Sequence, residues 1–195
     1  LIGSSSNDKV GNGSVTALSN GNYVVSSFYW DNGSTKDVGA VTLVDVDNKK
    51  NIIGSVSSTN SLIGSSFLDA IGINSITALD NGNYVVASPF WSNRTGAVTL
   101  VNVVNDFNVT GIVSSLNSLT GTRTNDNVGN AGVTALDNGN YVVASSNWDN
   151  ESTQNVGAVT LVDISNDDIV NGTVSSDNSL TGTRTNDNVG NAGVT

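Results

Sequence analysis

Carboxylates, hydroxyls, amides and three tryptophans are the main groups available for chemistry in this chain, because its 195 residues include no histidine and no cysteine. Without those two residue types, the usual nucleophile–base pairs and thiolate metal sites cannot form. A glycosidase needs two facing carboxylates, one of them with a raised pKa, whereas the aspartates here lie in polar, turn-like segments. The sequence therefore predicts no catalytic residue and no cofactor, and we expect that the protein is not an enzyme.

The tryptophans recur at one phase of a repeated pattern, as Trp30, Trp91 and Trp148. One interpretation is ligand binding, since the flat apolar face of an indole can stack on a sugar ring. The other interpretation is packing between neighbouring units, because a repeated core places the same residue type at the same phase. The sequence leaves both interpretations open.

Each tryptophan is followed by an Asn-x-Ser/Thr sequon, so that Asn32, Asn93 and Asn150 are candidate N-glycosylation sites. Asparagine at such a position also favours an Asx-turn, so a turn repeated in each unit is the alternative interpretation. Asp-rich segments are a weaker candidate for a cation site, at Asp31 and Asp37 or around Asp163, Asp167 and Asp168. Solvated turn carboxylates are the alternative there, and we expect no metal site.

The elements that carry these residues belong to one repeat unit, which occurs three times in full and a fourth time in part. The segment Asn20–Val25 returns at 81–86 and 138–143, and Gly39–Val44 returns at 96–101 and 157–162. We place the repeats at 1–61, 62–118 and 119–179, with the first strand of a fourth repeat at 180–195. Self-similarity at a fixed period indicates an array of one supersecondary unit.

The third repeat predicts four short strands, and its first two, Ala131–Leu136 and Tyr141–Ser145, flank an Asn-Gly hairpin turn. Gly157–Asp163 and Gly172–Ser176 are the predicted third and fourth strands. No segment has a convincing helical period. We therefore predict an all-β fold of tandem four-stranded antiparallel blades of the β-propeller type. A β-solenoid, or an open blade array in a fibre, is the alternative.

Charge and hydropathy restrict the partners. The formal net charge is −10, and the seven lysines and arginines form no basic run. Scattered negative charge disfavours binding to nucleic acid or to anionic lipid, and no apolar run approaches the ~20 residues of a membrane helix. A sequence that begins at Leu1 and contains no methionine is read as a stretch of a longer protein.

The order of motifs in the third repeat resembles the FG-GAP repeat of integrin-α-type β-propellers. The corresponding pieces are Val128-Gly129, Val133–Leu136, Asn138-Gly139, Val142–Ser146 and Gly157–Leu161. The pattern is also similar to related repeats of very large secreted bacterial surface proteins. The resemblance covers the whole chain and implies blades in a secreted or cell-surface protein.

This resemblance does not extend to calcium. Many FG-GAP blades carry an Asp-x-Asp-x-Asp-Gly-x-x-Asp loop between their first two strands, where this chain has only Asp80–Asn83 and its counterparts. Such a short turn cannot supply the six to eight oxygen ligands that Ca²⁺ takes.

The expected function is structural. Near-identical copies suit a building module of an extracellular fibre, stalk or sheath, in which copies of the chain or neighbouring repeats join by strand pairing and blade stacking. The alternative is an adhesin or lectin-like propeller that binds cell-surface glycans. Three units are fewer than the four to eight blades of closed propellers, so the sequence does not decide between a ring and a filament.

Overall fold

Hairpins dominate the structure, a computed structural model that describes residues 1–164 and 171–194. One short helical turn, α1 (Trp91–Arg94), is present in these residues, and everything else is strand, turn or loop. The strands are β1 (Ser14–Ala17), β2 (Tyr23–Ser27), β3 (Ala40–Val44), β4 (Leu62–Ile63), β5 (Ser75–Ala78), β6 (Tyr84–Ser88), β7 (Ala97–Val101), β8 (Gly111–Ile112), β9 (Leu119–Thr120), β10 (Gly132–Ala135), β11 (Tyr141–Ser145), β12 (Ala158–Val162), β13 (Gly172–Thr173) and β14 (Ser179–Thr181).

The predicted hairpins are confirmed in all three repeats. β1 pairs with β2, β5 with β6 and β10 with β11, each antiparallel. The turn glycine has φ of +85° at Gly21, +82° at Gly82 and +85° at Gly139, a conformation that costs glycine little. In the first turn the side-chain oxygen of Asn20 accepts a hydrogen bond from the Asn22 amide at 3.1 Å. This Asx-turn explains why the motif keeps both asparagine and glycine.

The fourth strand of each blade differs from the prediction. The prediction of Gly172–Ser176 in this role is wrong, because the antiparallel neighbour of β12 is β14, in the link to the next repeat. β4 and β9 take the same place beside β3 and β7. A hydroxyl pair fixes this contact in each repeat, and the pair is buried in the first two repeats and partly buried in the third. The Oγ1 to Oγ distances are 2.7 Å for Thr42–Ser61, 2.8 Å for Thr99–Ser118 and 2.7 Å for Thr160–Ser179.

Each segment that was expected as a fourth strand instead extends the sheet of the preceding repeat. β8 runs parallel to β4, and β13 runs parallel to β9. The amide of Val113 donates to the carbonyl of Ile63 at 3.0 Å, and the amide of Val174 donates to that of Thr120 at 3.0 Å. Ile2 and Ser55 form the corresponding bridge at the start of the chain. Strand pairing therefore crosses every repeat boundary that the structure describes.

The resulting architecture is all-β, with three sheets in the orders β1-β2-β3-β4-β8, β5-β6-β7-β9-β13 and β10-β11-β12-β14. The sheets form an open array of blades and do not close on one another. Among the described residues, no helix is long and apolar enough to cross a membrane.

Candidate functional site

Hydrophobic clusters join neighbouring blades face to face. Alternate residues of a strand point to opposite faces of its sheet, so Val24 and Leu43 of the first blade share a hydrophobic cluster with Tyr84 of the second. Val85 and Leu100 of the second blade share another with Tyr141 of the third. Both tyrosines are fully buried, and this burial raises their pKa well above the ordinary range. The strands of the second blade therefore pack against the first blade with one face and against the third blade with the other.

The outer face of the third blade has no such cover. Leu161 is 58% exposed and Leu180 is 74% exposed, whereas their counterparts Leu100 and Leu119 are 1% and 4% exposed. With Val142 and Val159 they line an open apolar hollow of about 500 Å³. The residue types are the same in all three blades, so the exposure results from position in the array. We call this surface the trailing face, formed by Val142, Val159, Leu161 and Leu180.

The opposite end of the array is open in the same manner. Val15 on the first blade is 64% exposed, whereas its counterpart Ile76 on the second blade is 9% exposed. Tyr23 is partly exposed, whereas Tyr84 and Tyr141 are fully buried. Val15 and Tyr23 mark the leading face. The two ends of the described structure thus carry the two complementary halves of the junction that is formed twice inside it.

An aspartate clamps each of the two internal link segments to the tryptophan loop of the blade that follows. One carboxylate oxygen of Asp126 accepts from the amides of Thr122 and Arg123 at 2.8 and 2.9 Å, and the other accepts from the amide of Asp149 at 3.1 Å. Asp69 makes the same three bonds, to the amides of Ser65 and Ser66 at 2.9 and 2.8 Å and of Ser92 at 2.9 Å.

The electrostatics of these clamps depend on burial. Burial raises the pKa of Asp126 above its ordinary value, and the three amide donors offset the effect only in part. At Asp8, burial also raises the pKa, but hydrogen bonds from Ser5 and Ser4 outweigh it and the net pKa is lowered. Asp187 is exposed, and the amides of Thr183 and Arg184 lower its pKa. These aspartates are backbone clamps, which the sequence pattern did not single out.

The tryptophans lie in three different hydrophobic environments and do not form a common site. Trp30 and Trp148 are 3% and 4% exposed and belong to two separate clusters. Trp91 is partly exposed, packs against the middle cluster and donates its indole N–H to the carbonyl of Val113 at 3.2 Å. Because neither Trp30 nor Trp148 presents a ring face to solvent, the geometry favours the packing interpretation over sugar stacking at these two positions.

The sequon asparagines lie on the loops that follow the second strand of each hairpin. Asn32 and Asn93 are exposed and Asn150 is half-buried. Asn32 exchanges backbone hydrogen bonds with Thr35 at 3.0 and 3.1 Å, and Asn150 exchanges them with Thr153 at 3.0 and 2.9 Å. The loops are therefore folded turns, and glycosylation at them stays a prediction.

The Asp-rich segments form no cluster of metal-ligating side chains within residues 1–164 and 171–194. Asp31 accepts a hydrogen bond from the Lys36 ammonium at 2.6 Å and another from the Asp37 amide at 2.9 Å. Burial alone would raise the pKa of Asp31, but these bonds lower it overall. Asp167 and Asp168 lie outside the described residues. Asp31 is thus already occupied by protein donors.

A surface patch in the second repeat was missed by the sequence analysis. Phe67 is 64% exposed and Leu68 is 46% exposed, and both line a hollow of about 490 Å³ with Phe90 and Arg94. The guanidinium of Arg94 lies 4.9 Å from the centre of the Phe90 ring. We call these four residues the aromatic patch. The other repeats have Ser6-Asn7 and Thr124-Asn125 in place of Phe67-Leu68, and this departure from the repeat was the available signal.

The backbone of this patch is strained. Leu68 has a φ of +62°, a left-handed conformation that asparagine tolerates better than leucine and that Asn7 and Asn125 adopt in the other repeats. Ser92, Asn93 and Arg94 have φ values of +49°, +58° and +66°. Neither backbone strain nor exposed apolar surface stabilises the folded chain. Both features are concentrated at ligand-binding positions.

Comparison with known protein families identifies the repeat from which the chain is built. Three successive segments, residues 17–73, 78–130 and 135–191, match the profile of a family described as a repeat of unknown function (DUF5650). The chain belongs to this repeat family. The match covers most of the sequence and confirms the tandem organisation, whereas the likeness to FG-GAP repeats stays a prediction. No curated protein matches the chain.

Proposed function

We propose that the protein is a non-catalytic extracellular repeat module that builds a surface fibre, stalk or sheath. The observation that carries the proposal is that each described repeat is completed by its neighbours. A blade supplies one apolar face to the blade before it and one to the blade after it, and it adds a parallel strand to the preceding sheet. Stability in such an array grows with the number of junctions rather than with a single core.

The hydrogen bonds of the asparagine side chains support a structural role rather than a catalytic one. The abundant asparagines satisfy backbone groups at turns, as when the side-chain oxygen of Asn22 accepts from the Val46 amide at 3.0 Å. Asn83 and Asn140 repeat this bond to Val103 at 2.9 Å and to Ile164 at 3.0 Å. The secreted or cell-surface location rests on the resemblance to surface-protein repeats.

Electron microscopy of the protein isolated from its native source tests this function. Class averages of continuous fibres, with an axial repeat set by the blades, are the expected result. Discrete closed rings with a countable number of blades would overturn the structural role and direct attention to ligand binding.

Ligand binding at the aromatic patch is a second candidate function, in line with the adhesin alternative. Phe67 and Phe90 offer apolar ring surfaces, and Arg94 adds a cation to an otherwise acidic chain. Such a set suits a glycan that carries a carboxylate, because a ring face and a guanidinium together recognise an apolar sugar face beside an anionic group.

The chain provides its own control for this test. The double variant Phe67→Thr with Leu68→Asn gives the patch the residues found in the third repeat. Retention of an acidic glycan by the unaltered protein, with loss in this folded variant, is expected if the patch binds. No binding to any member of an acidic glycan array would dismiss this function.

A further inference from the structure

A polar cavity of about 270 Å³ lies where the second blade meets the third. Asparagines from both sides of the junction line it, together with Phe90 and Arg94. We call this cavity the amide pocket, and its asparagines are Asn74, Asn127, Asn130 and Asn147. Phe90 and Arg94 also line the hollow of the aromatic patch. The two depressions are therefore neighbours that share these two residues.

The polar lining is absent from the junction between the first and second blades. Asn127, Asn130 and Asn147 have apolar residues as their counterparts one repeat earlier, namely Ala70, Ile73 and Phe90. Because the first junction forms with apolar residues at these positions, the stacking of blades does not require amides there. A concave site with a few convergent polar groups is typical of ligand binding.

Arg94 places a cation where the other repeats have none. Its carbonyl accepts a hydrogen bond from the Asn127 amide at 2.9 Å, and the residues that make this backbone contact in the first and third repeats are Asp37 and Asn155. The Arg94 side chain is exposed, and it forms no ion pair with any group in residues 1–164 and 171–194. Its guanidinium is therefore available to an anion at the edge of the amide pocket.

The asparagine side chains are held in place and still offer acceptors. Nδ2 of Asn74 donates to the carbonyl of Gly129 at 2.8 Å, and Nδ2 of Asn127 donates to the carbonyl of Pro89 at 3.1 Å. Nδ2 of Asn147 donates to Oδ1 of Asn127 across 3.4 Å. The side-chain oxygens of Asn74 and Asn147 accept no hydrogen bond from the described part of the chain. A carbonyl oxygen without a partner can accept from a ligand hydroxyl.

We propose that the amide pocket binds a sugar that carries a carboxylate, and that the aromatic patch binds the next sugar of the same glycan. Arg94 pairs with the carboxylate, because the planar guanidinium forms two parallel hydrogen bonds to that group. The asparagine oxygens accept from sugar hydroxyls, and the Phe90 ring covers an apolar sugar face. This inference rests on the second candidate function, ligand binding at the aromatic patch, and adds the position of the acidic sugar.

A pair of matched disaccharides tests the pocket in the intact protein. Cellobiouronic acid is glucuronic acid linked to glucose, and cellobiose has the same two rings without the carboxylate. Titration followed by ¹⁵N NMR should shift the side-chain amide resonances of Asn127 and Asn147, and the Kd for cellobiose should be about tenfold or more above that for the acid. Equal affinities for the two sugars, or no shift of these amides, would overturn the proposal.

The variant Arg94→Asn removes the guanidinium and introduces the residue found in the third repeat. Asparagine tolerates the φ of +66° at this position better than arginine, so the variant should fold. Its Kd for cellobiouronic acid should rise about tenfold or more, with cellobiose binding unchanged. Arg184→Ser is the control, because it removes the same charge from an exposed residue that lines neither depression. An equal loss in both variants would refute the pairing with Arg94.

A third variant separates the amide pocket from the aromatic patch. Asn147→Phe fills part of the pocket with the side chain that the second repeat has at Phe90. We expect this variant to bind glucuronic acid about tenfold or more weakly. The patch variant, Phe67→Thr with Leu68→Asn, should retain glucuronic acid and lose only the added affinity of the second sugar in cellobiouronic acid.

The two failures are distinguishable. Loss of cellobiouronic acid in the patch variant, with unchanged binding by Asn147→Phe, would keep ligand binding at the aromatic patch and reject the amide pocket. Equal binding of cellobiouronic acid by the patch variant and the unaltered protein would reject the patch as the site of the second sugar.

Discussion

Truncation of two leucines at the same phase measures the value of a completed junction. Leu100 of the second blade is 1% exposed and packs against the third blade, whereas Leu161 of the third blade is 58% exposed. The variants Leu100→Ala and Leu161→Ala delete the same atoms from the same position of the repeat. Any difference between them therefore reports the cover that a neighbouring blade provides.

The expected magnitudes differ several-fold. Leucine to alanine at a buried position costs about 2–5 kcal/mol, because the transfer free energy is lost and a cavity remains. We expect about 3 kcal/mol for Leu100→Ala, since the side chain is 1% exposed. Full burial of a leucine is worth about 1.5–3 kcal/mol, and Leu161 retains less than half of that burial and leaves no closed cavity. We expect about 1 kcal/mol or less for Leu161→Ala.

Thermal unfolding followed by circular dichroism, at dilutions where the chain is monomeric, is the assay. About 2–4 °C is lost per kcal/mol in proteins of this size, so Leu100→Ala should lower Tm by about 6–12 °C and Leu161→Ala by at most about 4 °C. Leu43→Ala is the control, because Leu43 is 4% exposed and should behave like Leu100. Equal losses at positions 100 and 161 would refute the reasoning that the third blade is uncovered.

Three further predictions concern the link segments. Gly96→Ala should lower the free energy of unfolding by more than the ~1–2 kcal/mol that a left-handed residue costs, because φ is +83° and the new Cβ would lie 2.1 Å from the Val128 nitrogen. Urea titration measures this loss of stability. A loss below about 1 kcal/mol would contradict the close packing of Gly96 against Val128. Asp126 has a raised pKa from burial, so its native state holds the proton more tightly than the unfolded state, whose pKa is about 3.9. The unfolding free energy of the unaltered protein, relative to Asp126→Asn, should therefore fall as pH rises through the unfolded-state pKa and the folded pKa above it, and a relative gain with pH would show the opposite shift. Leu68→Asn should raise Tm by relieving the left-handed leucine, and calorimetry that finds a lower Tm would remove the argument for strain at the aromatic patch.

Local sequence signals were sufficient for the hairpins. The Asn-Gly turn fixes a positive φ and the strands on either side alternate between two faces, so β10 and β11 follow from adjacent residues alone. The second repeat is four residues shorter than the other two between Trp91 and Gly96, and the structure forms the short turn α1 there.

Pairing between repeats could not be obtained from such signals. β4 is only two residues long, Leu62–Ile63, and its place beside β3 depends on a chain reversal through the link. The parallel contact of β8 with β4 depends on where the next blade lies, which no pattern inside one repeat specifies. The burial of Trp30 and Trp148 also depends on link segments, which contribute Leu1 and Ile63 to the cluster of Trp30 and Val128 to that of Trp148.

The aromatic patch could be found only in part from the sequence. Phe67 and Leu68 are apolar residues in a segment that is polar in the other copies, and they become conspicuous only when the repeats are compared. Their exposure and the left-handed backbone of Leu68 required the structure.

Nuclear Overhauser contacts across the repeat boundary test most directly the claim that each repeat is completed by its neighbours. The account predicts close proton contacts between Ile112 and Ile63, together with slow hydrogen exchange of the Val113 amide, which donates to the carbonyl of Ile63 at 3.0 Å. Contacts from Gly111–Ile112 to β7 of its own repeat, in place of those to β4, would contradict the account and restore a self-contained four-stranded blade.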